Sequence, residues 1–188
     1  MSVLCGIDEA GRGCCAGDLV VAGCILPDGY SLEGLSDSKK ITPKKREALY
    51  ESIVTQTQYH IVVISSEEID NFGISYSMKR ALLEIQQHLQ ADEYLFDGNT
   101  TFGVEKLKTM IKADGKVPQV SAASILAKVT HDRNIIEDAK RYPEYGFEKH
   151  KGYATKEHIE MIKKYGYSPI HRKSYKIKAL EPTLFTNF

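Results

Sequence analysis

Asp8 and Glu9 stand side by side, directly after the apolar run Val3 to Ile7 and just ahead of Gly11-Arg12-Gly13. Two further acids sit in Asp-Gly pairs, Asp97-Gly98 after Tyr94 to Phe96 and Asp114-Gly115 after Thr109 to Lys112. In an open α/β sheet, ligands bind beyond the carboxyl ends of the strands. If these three strands are neighbours, four carboxylates converge. Like charges so placed raise one another's pKa, and a divalent cation removes the conflict. Hard oxygen donors suit Mg²⁺ or Mn²⁺. Two such ions, about 3.5–4 Å apart, can activate water and stabilise a leaving oxygen in phosphodiester hydrolysis. Taken singly, each Asp-Gly is also an ordinary turn. Adjacent strand residues point to opposite faces, so Asp8 and Glu9 share a site only where the strand ends or bends. Gly11 and Gly13 allow that.

The groups that would meet a polyanion are spread further along. Gly11-Arg12-Gly13 offers close backbone approach and amide donors to a phosphate or sugar. Lys39 and Lys40 follow small polar residues in a loop and are phosphate contacts or solvated lysines. Ser124 and Lys128 share a polar helix stripe with Ser121 and Asp132. Tyr153, between Gly152 and Ala154 in a basic loop, can stack on a sugar or base; a Tyr closing a core edge is an equal alternative. His150, His158 and His171 lack zinc-ligand spacing, and the four cysteines (Cys5, Cys14, Cys15, Cys24) form no C-x-x-C pair. Reduced core thiols are expected.

The elements that must position these groups follow from pattern. Strands are expected at Val3–Asp8, Leu19–Leu26, Tyr59–Ser65, Tyr94–Asp97 and Thr109–Lys112, the first two as an antiparallel pair. Thr42-Pro43 starts a helix running to about Thr57. A short helical turn, Glu67 to Phe72, ends at Gly73. Ser75 to Gln90 carries Met78, Ala81, Leu82, Ile85 and Leu89 at helical spacing. Ser121 to Lys140 buries Ala122, Ile125, Leu126, Val129 and Ile136, and Pro143 stops it. Thr155 to Tyr165 is the last helix. Strands alternating with helices after a hairpin give an α/β domain with a mixed sheet.

The 188 residues suffice for one domain, with 142–188 as a basic C-terminal segment. Hydrophobic content of 42% and charged content of 27% are those of a globular chain. Apolar runs fall short of a membrane span and no basic, then apolar, leader opens the chain, so a cytoplasmic protein without membrane contact is expected. Net charge is zero, but residues 149–178 hold nine Lys/Arg against two acids. That asymmetry is of the kind that marks a polyanion contact, although on its own a solvated helix face with a lysine-rich loop is the commoner source of it. No interface-like patch stands out, and a monomer is the default.

Ile7-Asp8-Glu9-Ala10-Gly11-Arg12-Gly13, Ser36-Asp37-Ser38-Lys39-Lys40, Phe96-Asp97-Gly98, Lys112-Ala113-Asp114, Ser121 to Val129 and His150-Lys151-Gly152-Tyr153-Ala154-Thr155 together resemble the ordered motifs of ribonuclease HII. The resemblance covers residues 3 to about 175. It implies a ribonuclease H-like fold, a five-stranded mixed sheet flanked by helices, with a small helical C-terminal part. It implies a divalent-metal endonuclease acting on RNA/DNA hybrids and on duplex DNA containing single ribonucleotides, cutting on their 5′ side to leave 3′-OH and 5′-phosphate. The matching positions make Asp8, Glu9, Asp97 and Asp114 the metal ligands. They make Gly11, Arg12, Gly13 and Tyr153 the sensors of the ribonucleotide–deoxyribonucleotide junction. A non-catalytic binding protein on this fold would lack one or more of the four acids. Two departures occur: Cys14-Cys15-Ala16-Gly17-Asp18 replaces the family's Pro, bulky residue, Ala-Gly-Pro, and His131 stands where Arg is usual. Asp132, inside a helix, is a decoy for the fourth ligand. The tail Glu181-Pro182-Thr183-Leu184-Phe185 resembles a sliding-clamp-binding peptide anchored by Leu184 and Phe185.

Overall fold

The computed structural model describes residues 2–30 and 41–181. The first strand, β1 (Leu4–Ala10), pairs antiparallel with β2 (Leu19–Ile25), from Cys5 opposite Ile25 to Ala10 opposite Val20. Every residue of β2 is buried, as its unbroken apolar run requires of a strand covered on both faces. Helix α1 (Pro43–Gln56) starts where Thr42 Oγ1 accepts the Lys45 N–H at 3.3 Å and proline fills the first position. Strand β3 (Gln58–Ile64) returns antiparallel to β2. Helix α2 (Ser66–Phe72) is capped by Ser65 and closed at Gly73, whose φ of +81° suits glycine. Helix α3 (Ile74–His88) leads to β4 (Glu93–Asp97) and β5 (Leu107–Met110), each parallel to its inner neighbour. The sheet order is β3-β2-β1-β4-β5. Helices α4 (Pro118–Arg141), α5 (Phe147–His150) and α6 (Lys156–Tyr165) complete the chain.

Alternation along the strands divides the core. Ile7, Val21, Ile64 and Phe96 face α3, meeting Met78, Leu82 and Ile85. Val20, Ala22 and Cys24 face α1 and α4, meeting Ile53, Ala122, Leu126 and Val129. A smaller cluster of Ala16, Ile135, Tyr145 and Phe147 ties the C-terminal segment to the body. Among the described residues, no helix is long and apolar enough to cross a membrane.

Three expectations need correction. The first strand runs past Asp8 to Ala10, because β2 continues to pair with it. The fifth strand is Leu107–Met110 rather than Thr109–Lys112, so Asp114 does not end a strand; it lies in a 3₁₀ turn, Ala113–Gly115. On α4 the buried isoleucine is Ile135, and Ile136 is exposed, because α4 turns Ile135 toward Ala16 and Phe147.

Helix α4 lies so close to β1 that a Cβ built on Gly6 would come within 2.3 Å of the backbone of Gln119 and Val120. Gly6→Ala is therefore expected to cost about 1–3 kcal/mol and lower Tm by about 2–10 °C. Thermal melts check this; an unchanged Tm would show that α4 yields without cost.

Candidate active site

Asp8 and Glu9 lie in β1 one and two residues beyond the end of its contact with β4, whose last paired residues are Ile7 and Phe96. β1 thus outruns β4, and Asp97 sits at the carboxyl end of β4 beside them. Asp8 faces α4, with Ser124 near it, and its Oδ1 accepts the Glu9 N–H at 2.8 Å. Glu9 faces the other side and pairs with Arg12 Nε at 3.2 Å. Asp97 accepts the Lys112 N–H at 2.9 Å and the Asp114 N–H at 3.0 Å, one on each carboxylate oxygen. These two bonds bring the turn carrying Asp114 to Asp97, and the Ser121 hydroxyl donates to the Asp114 carbonyl from α4.

The acids are poorly neutralised. Burial pushes the Asp8 carboxyl up to about 8, with the charge on Glu9 adding to it and Asp97 contributing further. Burial lifts Glu9 to about 7, against the pull of Arg12 and with the push of Asp97. Glu9 Oε2 is buried and has no hydrogen-bond partner. An oxygen in that state lacks a donor or a cation. The donor set is all carboxylate oxygen, which fits Mg²⁺ or Mn²⁺ rather than a softer metal.

The neighbouring wall is the turn at Gly11. Its φ is +86°, and a Cβ there would meet His131 at 2.5 Å and the Asp18 carbonyl at 2.7 Å, so only glycine fits. Behind the turn lies Arg172, only 1% exposed. Its Nε and Nη2 donate to the Gly17 carbonyl at 3.0 and 2.9 Å, and its Nη1 donates to the Arg12 carbonyl at 3.2 Å. The Tyr175 hydroxyl also donates to the Arg12 carbonyl, at 2.7 Å. The C=O and N–H of a trans peptide point in opposite directions. Capture of the Arg12 carbonyl from behind therefore turns the Gly13 N–H forward. The Tyr153 ring lies against Gly13, 3.9 Å from the Cβ position there, and is 44% exposed.

Other candidates fall elsewhere. Lys128 Nζ is engaged by Asp132 Oδ1 at 2.8 Å. Asp132, also bonded by His131, is held below the usual carboxylate range despite its burial. Lys39, Lys40, Leu184 and Phe185 lie outside the described residues. Arg172, counted from sequence among the surface cations of the basic segment, is buried instead, because the loop carbonyls capture it. The spacing-based reading overlooked Arg172 and Tyr175 as supports of the turn; the crowding of Ser168, His171, Arg172 and Tyr175 outside any helix was the available signal. Among the described residues, His60, Glu84 and His88 are the three whose ligand atoms lie within 4.8 Å of one another. Their two rings are parallel and 3.9 Å apart, so one ion cannot lie in both ring planes, and Arg80 already holds the second Glu84 oxygen. They clamp α3 to β3.

Carboxyls raised this far bind protons that the unfolded chain, with values near 4, releases. Without a cation they destabilise the fold increasingly as pH rises from about 4 to about 8. In chelator near pH 8, Asp8→Asn is therefore expected to raise Tm, by about 2–4 °C for each kcal/mol recovered, with the gain shrinking toward pH 4. Melts of both proteins across that range test it; a loss of stability at pH 8 would contradict the burial of an uncompensated charge.

A family model for ribonuclease HII matches residues 5–178. A ribonuclease HII of Sulfurovum sp. (strain NBC37-1) is 58% identical over 97% of this chain and 96% of its own length. One from Aliarcobacter butzleri (strain RM4018) is 53% identical over 96% of this chain and 94% of its own. Among solved structures, the PCNA:RNase HII complex from Archaeoglobus fulgidus contains a chain with TM-score 0.81 and 30% identity, covering 97% of this chain and 98% of that one. The sheet, the helices around it and these matches agree: the chain belongs to the ribonuclease HII family, divalent-metal-dependent endoribonucleases of the ribonuclease H type.

Proposed function

We propose that this enzyme hydrolyses the RNA strand of RNA/DNA hybrids and nicks duplex DNA on the 5′ side of single embedded ribonucleotides, leaving 3′-OH and 5′-phosphate. In this reading Asp8, Glu9, Asp97 and Asp114 hold two divalent ions, Mg²⁺ or Mn²⁺. The unpartnered, buried Glu9 Oε2 is the observation that carries it, since a carboxylate oxygen in that position calls for a cation. Bound there, the ions supply Lewis acidity for the attack of water on the phosphodiester.

The chain's own residues position and select. Asp8 and Glu9 present oxygens from opposite faces of one strand, and the Glu9 N–H holds Asp8 Oδ1. Asp97 stays fixed through the Lys112 and Asp114 amides, which also sets where the Asp114 carboxylate stands. Gly11, Arg12 and Gly13 approach the sugar closely through backbone, and Tyr153 packs on it. Only the 2′-OH distinguishes RNA from DNA at one sugar, so such close contacts are the available means of discrimination. Lys39, Lys40 and Lys128 serve as phosphate contacts, Lys128 by exchanging Asp132 for the substrate. The segment 142–188 belongs to the same catalytic domain as the acids.

Cleavage of a labelled duplex carrying one ribonucleotide tests the reading. Cutting on its 5′ side is expected with Mg²⁺ or Mn²⁺ and none in excess chelator. Asp97→Asn is expected to lower the rate by about 100-fold or more while binding persists. Full activity in that variant or in chelator would refute the assignment.

For the tail, we propose that Leu184 and Phe185 dock on a sliding clamp; the structural relative from Archaeoglobus fulgidus is described in complex with PCNA. Replacing both by Ala is expected to weaken clamp binding by about ten-fold or more. Unchanged affinity on a clamp-coated surface would remove the tail from that role.

A further inference from the structure

Three histidines without ligand spacing in the sequence meet beneath Tyr153. His150 ends α5, His158 lies in α6, His171 follows it, and all three are buried. Their hydrogen bonds leave one arrangement of protons. Ser168 directs both its backbone N–H and its hydroxyl at His171 Nδ1, at 2.8 and 2.7 Å, so that nitrogen accepts. The neutral ring then carries its proton on Nε2 and donates to His158 Nε2 at 2.9 Å. His158 accordingly carries its proton on Nδ1, which donates to the Tyr153 carbonyl at 2.9 Å. His150 is set independently. Its Nε2–H donates to the Tyr145 carbonyl at 2.8 Å, and its Nδ1 accepts the Gly152 N–H at 3.3 Å.

This arrangement excludes two other roles. Every ring nitrogen of the three is engaged, so none is free for a metal. Burial lowers both His158 and His171 to about 4, so the pair is neutral near pH 7 and supplies no charge to a phosphate. What remains is a chain of oriented dipoles that starts at the Ser168 amide and ends on the backbone of Tyr153. The Tyr153 carbonyl is then held at both lone pairs, by His158 and by the Thr155 N–H at 2.8 Å. One residue earlier, the Gly152 carbonyl accepts the N–H groups of Cys15 and Ala16 at 2.9 and 3.3 Å. The histidine chain, the Tyr153 loop and the back of the Gly11 turn thus form one hydrogen-bonded body. His150 closes it, its ring stacked on His158 with centroids 4.1 Å apart and planes 13° from parallel.

We propose that His158 and His171 are positioning residues for Tyr153: by fixing its backbone they set its ring against Gly13, and with it the preference for a single ribonucleotide in duplex DNA. The proposal rests on the reading of Tyr153 as the group that packs on the ribonucleotide sugar.

The test is the ratio of kcat/KM on a duplex with one ribonucleotide to that on an all-RNA/DNA hybrid, for Tyr153→Ala, His158→Leu, His158→Asn and the double variant of Tyr153→Ala with His158→Leu. His158→Leu is expected to lower the ratio by about ten-fold, the size of one buried carbonyl left unsatisfied. His158→Asn keeps an N–H where the ring Nδ1 stood and is expected to retain the ratio within about three-fold. Added to Tyr153→Ala, His158→Leu is expected to cost the ratio nothing further, since both act through one ring. Equal losses on both substrates, or losses that multiply in the double variant, would mark His158 as core filling and overturn the proposal. If Tyr153→Ala leaves the ratio intact, the reading of Tyr153 falls and the proposal with it. If that variant collapses the ratio and His158→Leu does not, the proposal alone falls. Should His158→Leu fail to fold, ¹⁵N NMR of the unmodified enzyme decides: Nε2–H on His171 and Nδ1–H on His158 near pH 7 are expected, and the opposite tautomers or charged rings would overturn it.

Discussion

Negative charge buried without full compensation at one end of the sheet is the constraint on which the site depends. Asp8 and Glu9 are sequence neighbours, both shielded from water, and both pushed above the ordinary carboxylate range by burial and by Asp97. The fold mitigates this only in part. Asp97 receives two amides, Glu9 one guanidinium and Asp8 the Glu9 amide, yet Glu9 Oε2 receives nothing. A chain selected for stability alone would fill these positions with apolar or paired groups. That it keeps them shows what the rest of the sheet is for. The tight contact of α4 with Gly6 and the inner position of β1 hold a strand whose end would otherwise open to let the acids out.

The opposite wall uses the reverse device. Arg172 is a buried cation whose partners among the described residues are carbonyls of the Gly11 loop and the Tyr175 hydroxyl, not a carboxylate. Charge-assisted bonds to carbonyls are stronger than neutral ones and leave the net positive charge in place. That charge lies behind the turn, away from the acids, and favours the ionised forms of Asp18 and Cys14. The C-terminal segment therefore supports the loop as well as carrying exposed lysines. Two of its lysines, Lys149 and Lys163, are paired with Glu157 and Glu160.

Local physics was legible in the sequence. Thr42-Pro43, Gly73 and Thr155 mark helix ends through backbone chemistry that needs no tertiary context, and the structure has them there. The strand end bearing Asp97 was legible too, since an apolar run that stops at an acid is a local signal; at Asp8 the same signal misled, because β2 goes on pairing with β1 to Ala10. Asp114 was misplaced on a strand end because its position has a tertiary cause. Asp97 captures amides from 15 and 17 residues further on and bends Lys112 into the left-handed region, at φ +58°. The histidine chain was illegible for a similar reason. Spacing rules find ligands that share a helix face or a loop, whereas His150, His158 and His171 come from three segments and bond to one another.

The departures at Cys14 and His131 become intelligible together. Cys14 Sγ lies 3.7 Å from His131 Nε2 and 3.3 Å from the Lys151 carbonyl, to which the thiol donates. Burial pushes that thiol up to about 11, so the proton stays on sulfur and the contact is one of fit and weak hydrogen bonding. The Cys14 N–H donates to the Gly11 carbonyl at 3.2 Å, closing the turn. Proline has no N–H to give. A proline at 14 would restrict the turn through φ instead; this chain closes it with a hydrogen bond and braces it on the His131 imidazole beside Gly11. An arginine at 131 would bring a longer, charged side chain to the place where that ring meets Gly11. Residues 11, 14 and 131 therefore meet at one point of the turn, where an exchange at 14 or 131 changes the surroundings of the other.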